Sequence, residues 1–221
     1  IVRRTDEAAR MISLETGKPI AQSQREWGLG IDQFRWYAEE ARRIHGRIVE
    51  SRVPGGRFEI HHEPVGIVAA FTCRAGGLPA GVVNLVVGPT AATYAPLMAA
   101  KAVRKVSLTG STRVGQQMIR DAAATLKKVS MELGGNAPVI VHDDADLEAC
   151  LNVAVPTKFA NAGQVCVTGD RFYVHDSLHD AFVEGFAARA RAIRLGDGLD
   201  PSVGMGPLIN AGRLAEMDRI V

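Results

Sequence analysis

Residues 105–193 alternate between strand-like and helix-like hydrophobic spacing, and this alternation restricts the possible folds more than any other feature of the chain. Residues 105–109 have the spacing of a strand, and Gly110-Ser111-Thr112 then opens a helix that runs to about residue 124. Short strands are expected at 129–131 and 137–141. Asp143 or Asp144 can cap a helix over 146–159, since a carboxylate oxygen accepts from the free amides of a first turn. A strand at 171–174 and a helix over 177–193 complete the series. Strands that alternate with helices imply an α/β architecture with a largely parallel sheet.

The chain upstream is less regular. Residues 5–44 have helical spacing, broken at Gly17-Lys18-Pro19. In the second half Ile31, Phe34, Tyr37, Ala38 and Ala41 share one face, and Gly46 is a plausible stop. Residues 57–62 alternate like a strand, and 65–71 form a continuous apolar run of the kind found in a buried parallel strand. Thr72 then leads through Cys73-Arg74-Ala75-Gly76-Gly77-Leu78-Pro79-Ala80-Gly81 into a second apolar run at 82–87. Neighbouring parallel strands need a crossover of roughly a dozen residues or more, usually a helix, and these turn-like residues do not supply one. Either the two strands are not parallel neighbours or residues are missing at this join. A helix is expected over 90–100, and 196–206 has the character of a surface loop. There is no internal repeat or low-complexity tract.

Bulk properties exclude several functions. With 221 residues, 47% of them hydrophobic, the chain can build one large domain or parts of two. Its 26 basic and 24 acidic residues are dispersed, with no basic block to attract nucleic acid. No apolar run approaches the roughly 20 residues that span a bilayer, and Ile1-Val2-Arg3-Arg4 leads directly into helical spacing, so neither membrane nor signal peptide is expected. Cys73, Cys150 and Cys166 show no metal-type spacing, and the six histidines no ligand pattern. The expectation is a reduced, cytoplasmic setting without a metal.

Three segments can carry chemistry. Cys166 lies in Asn161-Ala162-Gly163-Gln164-Val165-Cys166, a turn of small and amide residues between a helix and a strand. A cytosolic cysteine is commonly a small buried hydrophobe. Here the polar turn argues for exposure, and its free amides favour a thiolate and can stabilise an oxyanion formed after attack. Cys150, spaced helically with Leu147, Leu151 and Ala154, has only the buried reading. Gly110-Ser111-Thr112-Arg113-Val114-Gly115 is at minimum a capped helix entry, and its functional reading is a bare helix N-terminus that receives a pyrophosphate. Glu132, in Met131-Glu132-Leu133-Gly134-Gly135-Asn136, is either a solvated strand end or a general base at the carboxyl edge of the sheet, where such folds bind ligands. The adjacent glycines allow close approach to the backbone.

Taken in order, Ser107 through Gly115, Met131 through Asn136 and Asn161 through Cys166 resemble the NAD(P)-dependent aldehyde dehydrogenase superfamily. Leu14-Glu15-Thr16-Gly17-Lys18-Pro19, Tyr37-Ala38-Glu39-Glu40-Ala41, Glu63-Pro64-Val65-Gly66 and Gly204-Met205-Gly206-Pro207-Leu208 extend the resemblance over essentially the whole chain. It implies a Rossmann-type parallel-sheet cofactor domain at 1–133 and the start of an α/β catalytic domain at 134–221. It implies oxidation of a small aldehyde to the acid with NAD or NADP, through a thiohemiacetal and a thioester on Cys166, and Glu132 as the base that activates water. Gly110, Ser111, Thr112, Arg113, Val114 and Gly115 then form the cofactor turn, Leu133 stands beside the nicotinamide, and the assembly is a homodimer or homotetramer.

The departures are also informative. After the strand ending at Thr72 the family continues with Pro-Trp-Asn, whose Asn helps hold the oxyanion, and then a Lys-Pro element that grips the adenosine ribose. Neither is present, nor are the family's later Glu-x-Phe-Gly-Pro segment and C-terminal oligomerisation strand. The join after residue 72 therefore implies residues dropped from the sequence, a fragment, or a defective copy that binds nucleotide without turnover. The surroundings of Cys166 are similar to the succinate-semialdehyde dehydrogenase branch, which often has a second cysteine where this chain has Thr168. A relative that releases the thioester to CoA is a third possibility, disfavoured by Glu132.

Overall fold

A computed structural model describes residues 2–53, 55–70, 84, 86 and 88–220. The expected strand at 82–87, the end of the 65–71 run, the join after 72 and Cys73 lie outside the described residues in whole or in most part. The chain divides into two compact units, residues 34–134 and residues 1–33 together with 135–221.

In the first of these, a hairpin pairs β1 (Arg47–Glu50) with β2 (Arg57–Ile60) in antiparallel register. Only β2 has a sequence signature; β1 follows directly on Gly46, where a helix stop was expected and no strand. Three parallel strands, β3 (Ile67–Ala70), β4 (Val103–Thr109) and β5 (Lys128–Glu132), lie side by side in that order. The helices α3 (Thr90–Ala99) and α4 (Thr112–Ala123) precede and follow β4. Gly115, Met118 and Ala122 recur at helical spacing and form the buried face of α4. Met118 and Ala122 meet Met98, Val103 and Val106 in one core cluster. Lys127 is buried beside it and donates to the carbonyl oxygens of Ala100 (2.6 Å) and Val103 (2.8 Å), so its charge closes the end of α3.

In the second unit, α1 (Thr5–Thr16) stops at Gly17, whose φ of +76° a side chain would strain. α2 (Ile20–Glu40) starts after Pro19, and the hydroxyls of Ser13 and Ser23 bond across the two helices at 2.8 Å. Helix α2 runs on into the other unit, where Phe34 and Tyr37 of the expected apolar face are exposed. Strand β6 (Ala137–Val141) pairs in parallel with β7 (Gly169–Val174). Helix α5 (Leu147–Phe159) connects them, and α6 (Asp176–Arg191) follows β7. Leu151, Ala154, Val141 and Phe182 are the core here, extended by contacts of Phe172, Phe182 and Phe186 with one another.

Two expectations need correction. The cap of α5 is Asp146 itself, accepting from the Ala149 amide at 3.0 Å, because Asp143 and Asp144 fall in the turn before the helix begins. Residues 196–206 are more than a surface loop: Gly198 and Val203 are buried, and the Gly198 carbonyl accepts from the Ile20 amide at 2.7 Å. A last helix, α7 (Ala211–Ile220), was not anticipated.

Candidate active site

Within residues 34–134, the expected base and cofactor turn converge at the carboxyl ends of two parallel strands. Glu132 is the last residue of β5 and lies opposite Thr109, the last residue of β4. The Gly110 amide donates to the Glu132 carbonyl at 2.9 Å, which ties the glycine turn to the carboxylate-bearing strand end. The Glu132 side chain is exposed. Ser111 is the N-cap of α4: its backbone is extended and its hydroxyl accepts from the Val114 amide at 3.4 Å. The amides of Thr112 and Arg113 precede the helical ladder and have no intrahelical acceptor. Gly110 through Val114 are exposed, whereas Gly115 is buried beneath Leu133; a Cβ there would come within 2.6 Å of Leu133 Cδ2. Leu133 thus packs on the first turn of α4. This arrangement, an uncrowded helix start with a bare glycine and an exposed guanidinium, fits an anionic pyrophosphate.

The thiol belongs to the other unit and is built by a different device. Helix α5 ends at Phe159, and Asn161 (φ 49°), Ala162 (φ 57°) and Gly163 (φ 74°) then take the left-handed conformation in succession. Glycine adopts it freely and asparagine tolerates it, but for Ala162 it costs about 1–2 kcal/mol. Side-chain hydrogen bonds offset that cost. The Asn161 amide donates to Gln22 Oε1 at 2.9 Å, and the Asn161 side chain donates to the Gln164 carbonyl at 3.2 Å. Gln164 donates to the Asn161 carbonyl at 2.9 Å and accepts from the Ile209 amide at 3.1 Å. At about 1 kcal/mol net for each bond, these outweigh the strain. Two residues further on is Cys166, with its side chain in solvent.

Gly135 completes this part of the site. A Cβ there would lie 2.5 Å from the Cys166 carbonyl oxygen, so the loop is seated against a position that only glycine can occupy. Thr168, where the semialdehyde branch often carries cysteine, is buried, and its hydroxyl has no hydrogen-bond partner. Beside the loop, a largely apolar cleft of about 810 Å³ is lined by Leu14, Phe159, Ala162, Leu195, Met205 and Leu208, among others. Neither Cys166 nor Glu132 lines it. Sequence reasoning missed Gln22, which lies far in sequence from the three segments that can carry chemistry and carries no signal of its own. Gly135 was singled out for ligand approach, whereas its closest neighbour is the backbone of the Cys166 loop.

A profile described as the Aldehyde dehydrogenase family matches residues 1–73 and 72–221, and the chain belongs to that family. It is 35% identical to the succinate-semialdehyde dehydrogenase (NADP+) of Escherichia coli K12, over 99% of this chain and 54% of the relative. To a glutarate-semialdehyde dehydrogenase of Pseudomonas putida it is 33% identical, over 98% of this chain and 54% of the relative. A crystal structure of an E. coli NADP-dependent enzyme superposes with a TM-score of 0.91 at 35% identity, over 99% of this chain and 54% of that one. The chain thus spans about half the length of the curated relatives it matches. The alignment to the E. coli relative has 259 positions against 221 residues here, so at least 38 of them have no residue in this chain. The two profile blocks meet at residues 72–73, where the sequence turns abruptly. The α/β fold with parallel strands is the expected one.

Proposed function

We propose that the protein is an NAD(P)-dependent aldehyde dehydrogenase in which Cys166 is the nucleophile and Glu132 the base. The observation that carries this reading is the exposed thiol on a hydrogen-bonded left-handed loop seated on Gly135. Residues 1–133 act as the cofactor domain and 134–221 as the beginning of the catalytic domain. Gly110, Ser111, Thr112, Arg113, Val114 and Gly115 hold the pyrophosphate, and Leu133 borders the nicotinamide. When bound, the nicotinamide accepts the hydride that makes the reaction an oxidation.

The chain's own residues perform the rest. The Cys166 thiolate adds to the aldehyde carbonyl and forms a C–S bond, placing negative charge on the carbonyl oxygen. After oxidation, the acyl group is held as a thioester on Sγ. Glu132 takes a proton from water as the water oxygen adds to that thioester, and the thiolate leaves with the electrons of the broken C–S bond. The acid is released and Cys166 is regenerated. A semialdehyde such as succinate semialdehyde is the substrate class supported by relatives with those names. We place the enzyme in the cytoplasm as a homodimer or homotetramer; among the described residues no helix is long and apolar enough to cross a membrane.

That the chain spans about half the length of its relatives does not favour the alternative, in which it holds nucleotide without turnover. Both readings are tested together. Wild type and Cys166→Ala are mixed with succinate semialdehyde and NADP+, and reduced nicotinamide and intact mass are followed. Turnover in wild type and none in the variant supports the dehydrogenase. Equal turnover in both overturns the role of Cys166. Nucleotide binding with no aldehyde oxidation in either protein establishes the second reading.

A further inference from the structure

The nucleophile loop depends on one bond from a distant part of the sequence. Gln22 stands in the first turn of α2, its own amide donating to the Pro19 carbonyl at 2.9 Å, and its side chain is half-buried. Its Oε1 accepts from the Asn161 amide at 2.9 Å, and its Nε2 reaches the Gly204 carbonyl at 3.5 Å. In the left-handed conformation the Asn161 N–H is turned out of the α5 ladder, so it needs an acceptor from another element. The other side-chain bonds of the loop join Asn161 to Gln164 or Gln164 to Ile209. They brace the turn from within and from its C-terminal side. Gln22 alone, among the described residues, anchors the Asn161 amide to α2, at the point where the strain starts. Ala162 follows immediately and Cys166 comes four residues later.

We propose that Gln22 is a positioning residue for Cys166: its amide oxygen holds the first left-handed residue of the loop and so sets where the thiol is presented. The proposal rests on Cys166 being the nucleophile, and its test separates the two ideas. A methionine at 22 keeps the length and apolar stem of the side chain but removes the oxygen. A glutamate keeps an acceptor for Asn161 and gives up the donor to Gly204.

The full chain is compared as wild type, Gln22→Met and Gln22→Glu by hydrogen exchange of peptides covering residues 159–168 and by aldehyde kinetics. Gln22→Met should raise exchange in this segment about fivefold or more, the factor a typical net hydrogen bond is worth. The remaining core peptides of the unit should be unaffected, kcat should fall at least as much, and KM should hold. Gln22→Glu should restore both readouts to within about twofold of wild type. Unchanged exchange at 159–168 in Gln22→Met overturns the proposal, as does a rise spread evenly over the unit or a failure of Gln22→Glu to rescue. The exchange arm needs no turnover: loss of local protection in a protein that oxidises no aldehyde supports the clamp while refuting the catalytic reading of Cys166.

Discussion

Replacing Gly135 with alanine puts the seating of the Cys166 loop, and the proposed role of its thiol, to a quantitative test. The new Cβ would lie 2.5 Å from the Cys166 carbonyl oxygen and 3.7 Å from its carbonyl carbon. Ordinary contact begins near 3.4 Å, so the carbonyl must retreat by about 0.9 Å. Backbone cannot swing aside as the end of a long side chain does. Forced packing of this kind costs about 1–3 kcal/mol, and a displacement near 1 Å at a reacting group costs about 100-fold in rate. Gly135→Ala should therefore show a lower urea midpoint, a kcat reduced by about two orders of magnitude and a changed rate of Cys166 alkylation by iodoacetamide. The neighbouring glycine is the control: at Gly134 the nearest atom to an added Cβ is Thr112 Oγ1, 3.9 Å away. Gly134→Ala should leave stability unchanged or raise it by roughly 0.4–1 kcal/mol through the unfolded chain. Equal urea midpoints for the two variants, together with wild-type alkylation in Gly135→Ala, would refute the argument.

Two further outcomes follow from single side chains. Glu132→Gln should still form the thioester but hydrolyse it about 100-fold or more slowly, giving a burst of reduced nicotinamide equal to the enzyme present; wild-type steady-state turnover would contradict its role as base. Tyr94 donates to Asp121 at 2.6 Å, and partial burial, aided by that carboxylate, pushes its phenol up from 10.0 to about 12. The folded value lies above the unfolded one, so this contribution to stability is complete below about pH 10 and is lost as pH rises towards 12. Tyr94→Phe should flatten that alkaline loss in urea midpoints measured from pH 9 to 12, and an identical pH dependence in both proteins counts against the linkage.

Much of the architecture was legible because local and tertiary preferences agree. The turn from β4 into α4 has a capping serine, a bare glycine and a buried face at helical spacing, all within residues that are neighbours in sequence. The same holds for the break at Gly17-Lys18-Pro19 and for the helix that delivers Cys166. Strand β1 and helix α7 were not legible. The four residues of β1 are all exposed and carry no alternation, and their pairing is with β2 alone. In α7 the described residues are all at least partly exposed, so no buried stripe marks the helix.

The division of labour between sequence and tertiary structure is clearest at the thiol. By itself the sequence determined most of the alternation of strands and helices, the entry into α4, and the candidacy of Cys166, Glu132 and the Gly110–Gly115 turn as site residues, because each depends on spacing over a few residues. Only the tertiary structure decided that three left-handed residues precede Cys166, that Gln22 from α2 caps the first of them, and that the Cys166 carbonyl rests where Gly135 has no side chain. Those are relations between residues up to 139 positions apart. Short-range spacing carries no record of them, since the folded backbone alone brings such partners within hydrogen-bonding or van der Waals distance.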